Sequence, residues 1–272
     1  TLITTVGEIT IKRRLYVDRE GHYTFLLDKA LGLKPRKRVS KRMCQLALDL
    51  GTEMSFRRAA NILGYITPTI SHTGVWNAIQ EAGELASTEA DRLKKDVFEK
   101  GVILDRQREV GKLFIEADEV WVRKQCGKRK EGLGVKLVVG YEGKSGPKRR
   151  LENRRTVAGI VDGQGIWEEA SCDFGQKWVL SQVKQIRIGG DGAPWIKSGT
   201  EHFLGASYHL DPFHLRRRLT ESLSKTDTYK AVNKGIEELD REAVVHALDQ
   251  EASTLRGNRK KRVRELKKYL LN

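Results

Sequence analysis

The chain has 272 residues, 39% of them hydrophobic, enough for one large domain or two smaller ones around a buried core. Lys and Arg outnumber Asp and Glu by 51 to 36, a net charge of +15, which favours a polyanionic partner and fits a structural or metabolic role poorly. No stretch approaches the roughly 18–20 apolar residues of a membrane span, and no signal peptide opens the chain, so no membrane partner is expected.

Cys44, Cys126 and Cys172 are scattered and form no CxxC, which points to a reducing cytoplasm without disulfides or a zinc site. The chain starts at Thr1 and ends in "KKYLLN", inside a predicted helix. Both ends read as cut, and the expectation is an incomplete protein.

Residues 1–38 carry short alternating runs, "GEITIKRRLYV" and "GHYTFLLD", which predict a β-hairpin segment ending in the basic stretch "LKPRKR". Residues 39–112 read as helical. "SKRMCQLALDLG" places Met43, Leu46, Ala47 and Leu50 on one helix face. "SFRRAANILG" has Ser55 as N-cap and Gly64 as stop. "ITPTISHTGVWNAIQEAG" has Ser71 or Thr73 as cap, with Val75, Trp76 and Ile79 facing inward. These helices form a helix-turn-helix pattern, whose second helix would turn Ser71, His72, Thr73 and Asn77 toward DNA bases. An ordinary three-helix packing unit has the same pattern. "STEADRLKKDVFEKG" then reads as a connector helix.

Residues 113–211 predict an α/β core. Strands are expected at "LFIEADEVWVRKQ", "LGVKLVVGYEG", "RTVAGIVDG", "IRIGGD" and "FLGASYHLD". A helix started by Asp173 is expected in "DFGQKWVLSQVKQ". The order implies a mixed sheet flanked by helices. Residues 212–272 read as a basic helical insertion, with Leu215, Leu219 and Leu223 at helical spacing.

Two aspartates carry the candidate chemistry: Asp118 inside the first strand and Asp191 at the end of the fourth, in "RIGGDGAPWIKSG". If the first and fourth strands are neighbours, the carboxylates converge on a hard oxygen site suited to magnesium. Glycines beside Asp191 would clear space for a DNA backbone. A turn or cap role is the alternative for any such lone aspartate, and Asp162 and Asp173 sit in such contexts. Asp211, before Pro212, makes a good helix start. His209 and His214 match no zinc spacing and read as local hydrogen-bonding groups. Arg216, Arg217 and Arg218 are placed to meet phosphates or to form a solvated helix face. Trp121 and Trp195 are expected either to flank the acids or to pack in the core.

"FIEADEVWVRKQ", "GGDGAPWIKSG" and "YHLDPFHLRR", in this order after a helical N-terminal region, resemble the ISLre-type insertion-sequence transposases. The opening "GEITIKRRLYVDREGHYTFLLDKALGL" is similar to that family's opening segment, so the resemblance covers nearly the whole chain. It implies a ribonuclease H-like core of the DDE type. Asp118 and Asp191 would be catalytic, metal-binding acids for Mg2+ or Mn2+, and Asp211 and His214 auxiliary motif residues. The implied reaction is metal-dependent cleavage at the element's ends, followed by attack of the freed 3′ hydroxyl on target DNA.

The DNA-binding set would be Ser71, His72, Thr73, Asn77, Lys197, Arg216 and Arg217. Implied partners are the terminal inverted repeats and target DNA, bound by a homo-oligomer in a bacterial cytoplasm, at the nucleoid. The third acid of such a site is usually a glutamate on a helix after the fifth strand. With residues 212–272 as a truncated insertion, it would lie beyond Asn272. Glu221, Glu237, Glu238 and Glu242 match no motif for it. Two alternatives stand beside the transposase: a truncated or repurposed non-catalytic DNA-binding protein derived from one, and a ribonuclease H-like nuclease acting on structured DNA.

Overall fold

A computed structural model describes residues 1–33, 38–67, 70–102, 108–124, 132–224 and 226–271. Cys126 and most of "LKPRKR" lie outside the described residues. The chain divides into two compact units, Thr1–Leu93 and Lys94–Asn272.

In the first unit, β1 (Leu2–Thr4) pairs antiparallel with β2 (Gly7–Ile9), and β3 (Tyr16–Val17) with β4 (Tyr23–Thr24). The expected hairpin segment is thus two short hairpins, followed by a helix, α1 (Leu26–Leu31). Helices α2 (Lys41–Glu53) and α3 (Phe56–Leu63) begin at Ser40 and Ser55, whose hydroxyls accept from the Met43 and Arg58 amides. Each serine satisfies a donor that the first helical turn leaves unpaired. Met43, Ala47, Ala59, Leu63, Ile70 and Val75 form the core of this unit, with Leu46, Leu50 and Ile79 packed against it.

Two expectations fail in this region. Trp76 is 44% exposed, because burying Val75 turns its neighbour about 100° around the helix, to the rim. The supposed connector is not separate. Helix α4 runs unbroken over His72–Lys94, since nothing between Gly83 and Lys94 stops it, and one π-turn (Lys95–Glu99) follows.

The second unit is built on a five-stranded mixed sheet: β5 (Lys112–Arg123), β6 (Gly132–Tyr141), β9 (Arg155–Gly159), β10 (Gln185–Gly190) and β11 (Ala206–Leu210). A small hairpin, β7 (Gly143–Ser145) and β8 (Arg150–Glu152), sits between β6 and β9. The sheet order is β11-β10-β5-β6-β9. β5, β6 and β9 are antiparallel neighbours, whereas β10 runs parallel to both β5 and β11.

Alternation along each strand assigns the two faces. Leu113, Ile115 and Ala117 of β5 and Ile186 and Ile188 of β10 are buried, against Ile166, Trp167, Ala170 and Phe174 of α5 (Gly163–Gly175). Phe114, Glu116 and Asp118 of β5, and Arg187 of β10, therefore point to the other face.

Helix α5 starts at Asp162, whose carboxylate accepts from the Gly165 amide at 2.7 Å, and not at Asp173. Asp173 lies near the end of this helix and accepts from Arg155 Nε at 2.8 Å. Trp167 and Trp178 drive this placement. Both are fully buried, and their indole N–H groups donate to the Trp195 carbonyl at 2.6 Å and to Glu142 Oε1 at 2.9 Å. A short helix, α6 (Pro194–Lys197), precedes β11.

Four helices follow: α7 (Pro212–Leu223), α8 (Asp227–Glu237), α9 (Arg241–Thr254) and α10 (Gly257–Leu271). They share a second core of Leu219, Leu223, Val232, Val244, Leu248, Val263 and Leu266. All four fall within the stretch expected to be helical. Among the described residues, no helix is long and apolar enough to cross a membrane.

Candidate functional site

The site follows from register. In the parallel pair β5–β10, Gly189 lies beside Glu116, so two residues further on Asp191 comes beside Asp118. In the pair β10–β11, Gly190 lies beside Leu210, so Asp191 comes beside Asp211. Asp191 and Asp211 directly follow the ends of β10 and β11, so extending the two registers brings all three aspartates to the same end of the sheet. The Asp211 amide donates to the Gly190 carbonyl at 2.9 Å, which ties the end of β11 to β10.

Asp118 and Asp191 open into a cleft of about 770 Å³. Helix α7 lines it with His214, Arg217, Arg218, Glu221 and Ser222, and α10 with Arg262, Glu265 and Leu266. On both helices the spacing is that of a single face. Each aspartate is oriented by its own backbone: Asp118 Oδ1 accepts from the Glu119 amide at 2.8 Å, and Asp191 Oδ1 from the Ala193 amide at 2.9 Å. That leaves one carboxylate oxygen on each for a ligand.

The cleft mixes five carboxylates, Asp118, Glu119, Asp191, Glu221 and Glu265, with Arg217, Arg218 and Arg262, and Mg2+ is commonly held by one or two carboxylates together with substrate phosphates and water. Among the described residues, three potential ligand atoms come within 4.8 Å of one another only at Asp18, Glu20 and His22, in the exposed turn between β3 and β4. There the Asp18 carboxylate already binds the Glu20 and His22 amides, each at 2.9 Å, as an ordinary turn does.

Comparison with known proteins assigns the family. A model described as an uncharacterised protein family, UPF0236, matches residues 1–272. The chain belongs to the UPF0236 family. It is 30% identical over 275 residues to a UPF0236 protein of Caldanaerobacter subterraneus subsp. tengcongensis, covering 100% of this chain and 56% of that protein. Another relative from that strain, whose name joins a run of locus designations, is 30% identical over 279 residues, covering 100% of this chain and 56% of the relative. A UPF0236 protein in the vanSb 3′ region of Streptococcus gallolyticus is 27% identical over 275 residues, with 98% and 58% covered. The chain spans about half the length of the curated relatives it matches.

In this UPF0236 chain the predicted site residues separate into groups. Asp118, Asp191, His214 and Arg217 meet at the cleft. Asp211 caps α7, accepting from the Phe213 amide at 3.0 Å, and lies 3.6 Å from His214 Nε2. Arg216 is exposed on α7 but outside the cleft lining. Lys197 lies 5.6 Å over the ring of Tyr208 and does not line the cleft. Neither Trp121 nor Trp195 lines the cleft: Trp121 is 69% exposed on β5, and Trp195 packs against Trp167 in the core.

In the first unit, Ser71 and His72 line a groove together with Arg57, Asn61 and Tyr65, while Thr73 and Asn77 are exposed on α4. Ser71 also accepts from the Gly74 amide at 3.2 Å. Sequence reasoning missed Arg57, Asn61 and Tyr65. The exposed aromatic just past a helix stop, in "NILGY", was the available signal.

Two of the glycines around Asp191, Gly190 and Gly192, leave no open space for a ligand. A Cβ on Gly190 would lie 2.7 Å from Ile196 Cγ2 and 3.0 Å from the Ala117 carbonyl oxygen. Gly192 has φ +91°, and a Cβ there would lie 2.8 Å from Tyr269 Cε2. Both are small because the protein itself fills the space. At Gly189 nothing lies closer than 3.8 Å, so it is the roomier of the glycines in "RIGGDG".

Glu116, also missed, accepts from the Tyr141 hydroxyl at 2.6 Å and from Lys144 at 3.0 Å. Burial raises its pKa, but these two bonds outweigh that and hold the carboxyl below its ordinary value.

Proposed function

We propose that this chain is part of a DNA transposase of an insertion sequence. Its second unit would be a ribonuclease H-like core acting by metal-dependent phosphoryl transfer, and α2–α4 a helix-turn-helix DNA-binding region. The observation that carries the reading is that Asp118 and Asp191, each two residues past the registered pair Glu116–Gly189, line one cleft with Arg217, Arg218 and Arg262. The strand order adds support: three antiparallel strands in sequence, then two parallel strands added beside the first, as in a ribonuclease H-like sheet. So does the relative whose name joins many loci of one genome, as a gene that copies itself would.

The division of labour follows from chemistry. Asp118 and Asp191 present hard oxygen donors for Mg2+ or Mn2+. A divalent cation held there supplies Lewis-acid polarisation of a phosphoryl oxygen. Arg218, Arg262 and Arg217, whose Nε also pairs with Glu221 at 2.8 Å, would offer charge-assisted hydrogen bonds to the DNA backbone. His214, beside Asp211, is placed to orient groups at the cleft rim. Glu221 and Glu265 bring further carboxylates to the same cleft.

The proposal places the protein at the bacterial nucleoid, acting on terminal repeats and target DNA as a homo-oligomer that pairs two ends. The test is a cleavage and strand-transfer assay with the full-length protein, Mg2+ and plasmid DNA carrying the element's ends. Asp118→Asn is expected to abolish both steps while leaving DNA binding intact. Cleavage unchanged in Asp118→Asn would refute the assignment.

A further inference from the structure

The backbone around Asp191 is held by two tyrosines. The Tyr208 hydroxyl donates to the Gly190 carbonyl at 3.0 Å, from within the sheet. The Tyr269 hydroxyl donates to the carbonyl of Asp191 itself at 2.8 Å, from the far end of α10. Residues 191 and 269 are 78 apart in sequence, so this contact exists only if the four-helix module is docked on the sheet.

Two further features converge on the Tyr269 ring. The guanidinium of Arg218, on α7, lies 4.2 Å from its centroid, within cation–π range. The ring also lies so near Gly192 that any Cβ there would clash, at 2.8 Å. The left-handed φ of Gly192, +91°, is a conformation that side chains rarely adopt, so the glycine serves both the turn and the ring. Burial, reinforced by the charges of Asp191 and Asp211 and opposed by Arg218, holds the Tyr269 phenol above its ordinary value.

We infer that Tyr269, packed against Arg218 and Gly192, is a positioning residue that fixes the Asp191 carboxylate, so that the helical module completes the acidic site. This rests on the reading of Asp118 and Asp191 as metal ligands. It gives residues 212–271 a role beyond that of a basic surface. An anchored Asp191 carbonyl limits rotation of the Gly190–Ala193 turn, whose Ala193 amide in turn orients Asp191 Oδ1. A ligand must be held within a fraction of an ångström to bind well, and supporting hydrogen bonds do this.

Tyr269→Phe removes the hydroxyl and keeps the ring, and Gly192→Ala displaces the ring. Hydrogen exchange of the metal-free chain across Gly189–Ala193 is the first readout. Losing one hydrogen bond predicts exchange faster by about two- to tenfold in Tyr269→Phe, and by at least as much in Gly192→Ala. The second readout is the Mn2+ dissociation constant, expected to rise by a similar factor at a temperature well below unfolding, where a fall of a few degrees in melting temperature from one lost hydrogen bond has no effect on the folded fraction. A purely structural tyrosine would move the melting temperature and leave Mn2+ affinity alone. Unchanged exchange in Tyr269→Phe overturns the inference, as does unchanged Mn2+ affinity where Asp191→Asn abolishes binding. If the wild-type chain binds no Mn2+, the reading of the acids has failed, and the loop role of Tyr269 is decided by exchange alone.

Discussion

Replacing Gly190 by Ala separates two explanations of the glycine-rich turn beside Asp191. If the glycines make room for DNA, an added methyl should impair binding and spare stability. The structure says the reverse. The new Cβ would meet Ile196 Cγ2 at 2.7 Å, Ile196 Cδ1 at 2.8 Å and the Ala117 carbonyl oxygen at 3.0 Å. Ile196 is 1% exposed and β-branched, so it has little freedom to move aside, and the carbonyl belongs to the central strand. Overpacking of this kind costs about 1–3 kcal/mol. At roughly 2–4 °C per kcal/mol for a unit of this size, the melting temperature falls by about 2–12 °C.

Gly189→Ala is the control. Its nearest neighbours would be at 3.8–4.0 Å, so its stability should stay within about 1 kcal/mol of the parent. Urea unfolding followed by tryptophan fluorescence measures both, since Trp121, Trp167, Trp178 and Trp195 all lie in the second unit. Equal stability of Gly190→Ala and the parent, or an equal loss in Gly189→Ala, would refute the packing argument.

Other consequences can be checked with simple assays. DNA binding should weaken steeply with salt, and Arg217→Gln or Arg262→Gln should each lower the log–log salt slope by about 1; a slope identical to the parent's would remove these arginines from the interface. Glu142 is pushed up by burial but held below its ordinary 4.5 by bonds from Trp178 and Asn153 and by the charge of Arg108. Its contribution to stability is therefore full above that ordinary value and is lost as pH falls through the lower folded one. Urea midpoints of Glu142→Gln and the parent should accordingly converge as pH falls from above 4.5 through the lowered folded value; a constant gap would contradict this. Burial pushes the Cys172 thiol up to about 11, so Cys172 should resist thiol reagents until the chain unfolds. Rapid labelling of the native protein at Cys172 would show the α5 core to be open.

Much of this was legible in the sequence, and the failures have local causes. The five strands of the main sheet were readable because alternation and β-branched runs persist through "LFIEADEV" and "IRIGGD", and the Asp118–Asp191 pairing follows once the first and fourth strands are adjacent. Helix α5 was misplaced because Asp162 and Asp173 are equally good caps on paper. Only the burial of Trp167 and the partnership of Asp173 with Arg155 decide between them. Gly190 and Gly192 were misread because the groups that need their smallness, Ile196 and Tyr269, are recruited by tertiary packing. The charge pattern of α7 and α10 gave basic helices. It did not reveal that one face of each converges on the acids.

The most direct test of the metal-site claim is Mn2+ binding to the chain, measured by electron paramagnetic resonance with Mg2+ as competitor. Asp118→Asn and Asp191→Asn should each abolish the saturable site, while Asp18→Asn, in the exposed turn of the first unit, should leave it unchanged. Binding that survives at Asp118→Asn and Asp191→Asn but disappears with Asp18→Asn would place the metal elsewhere and contradict the account.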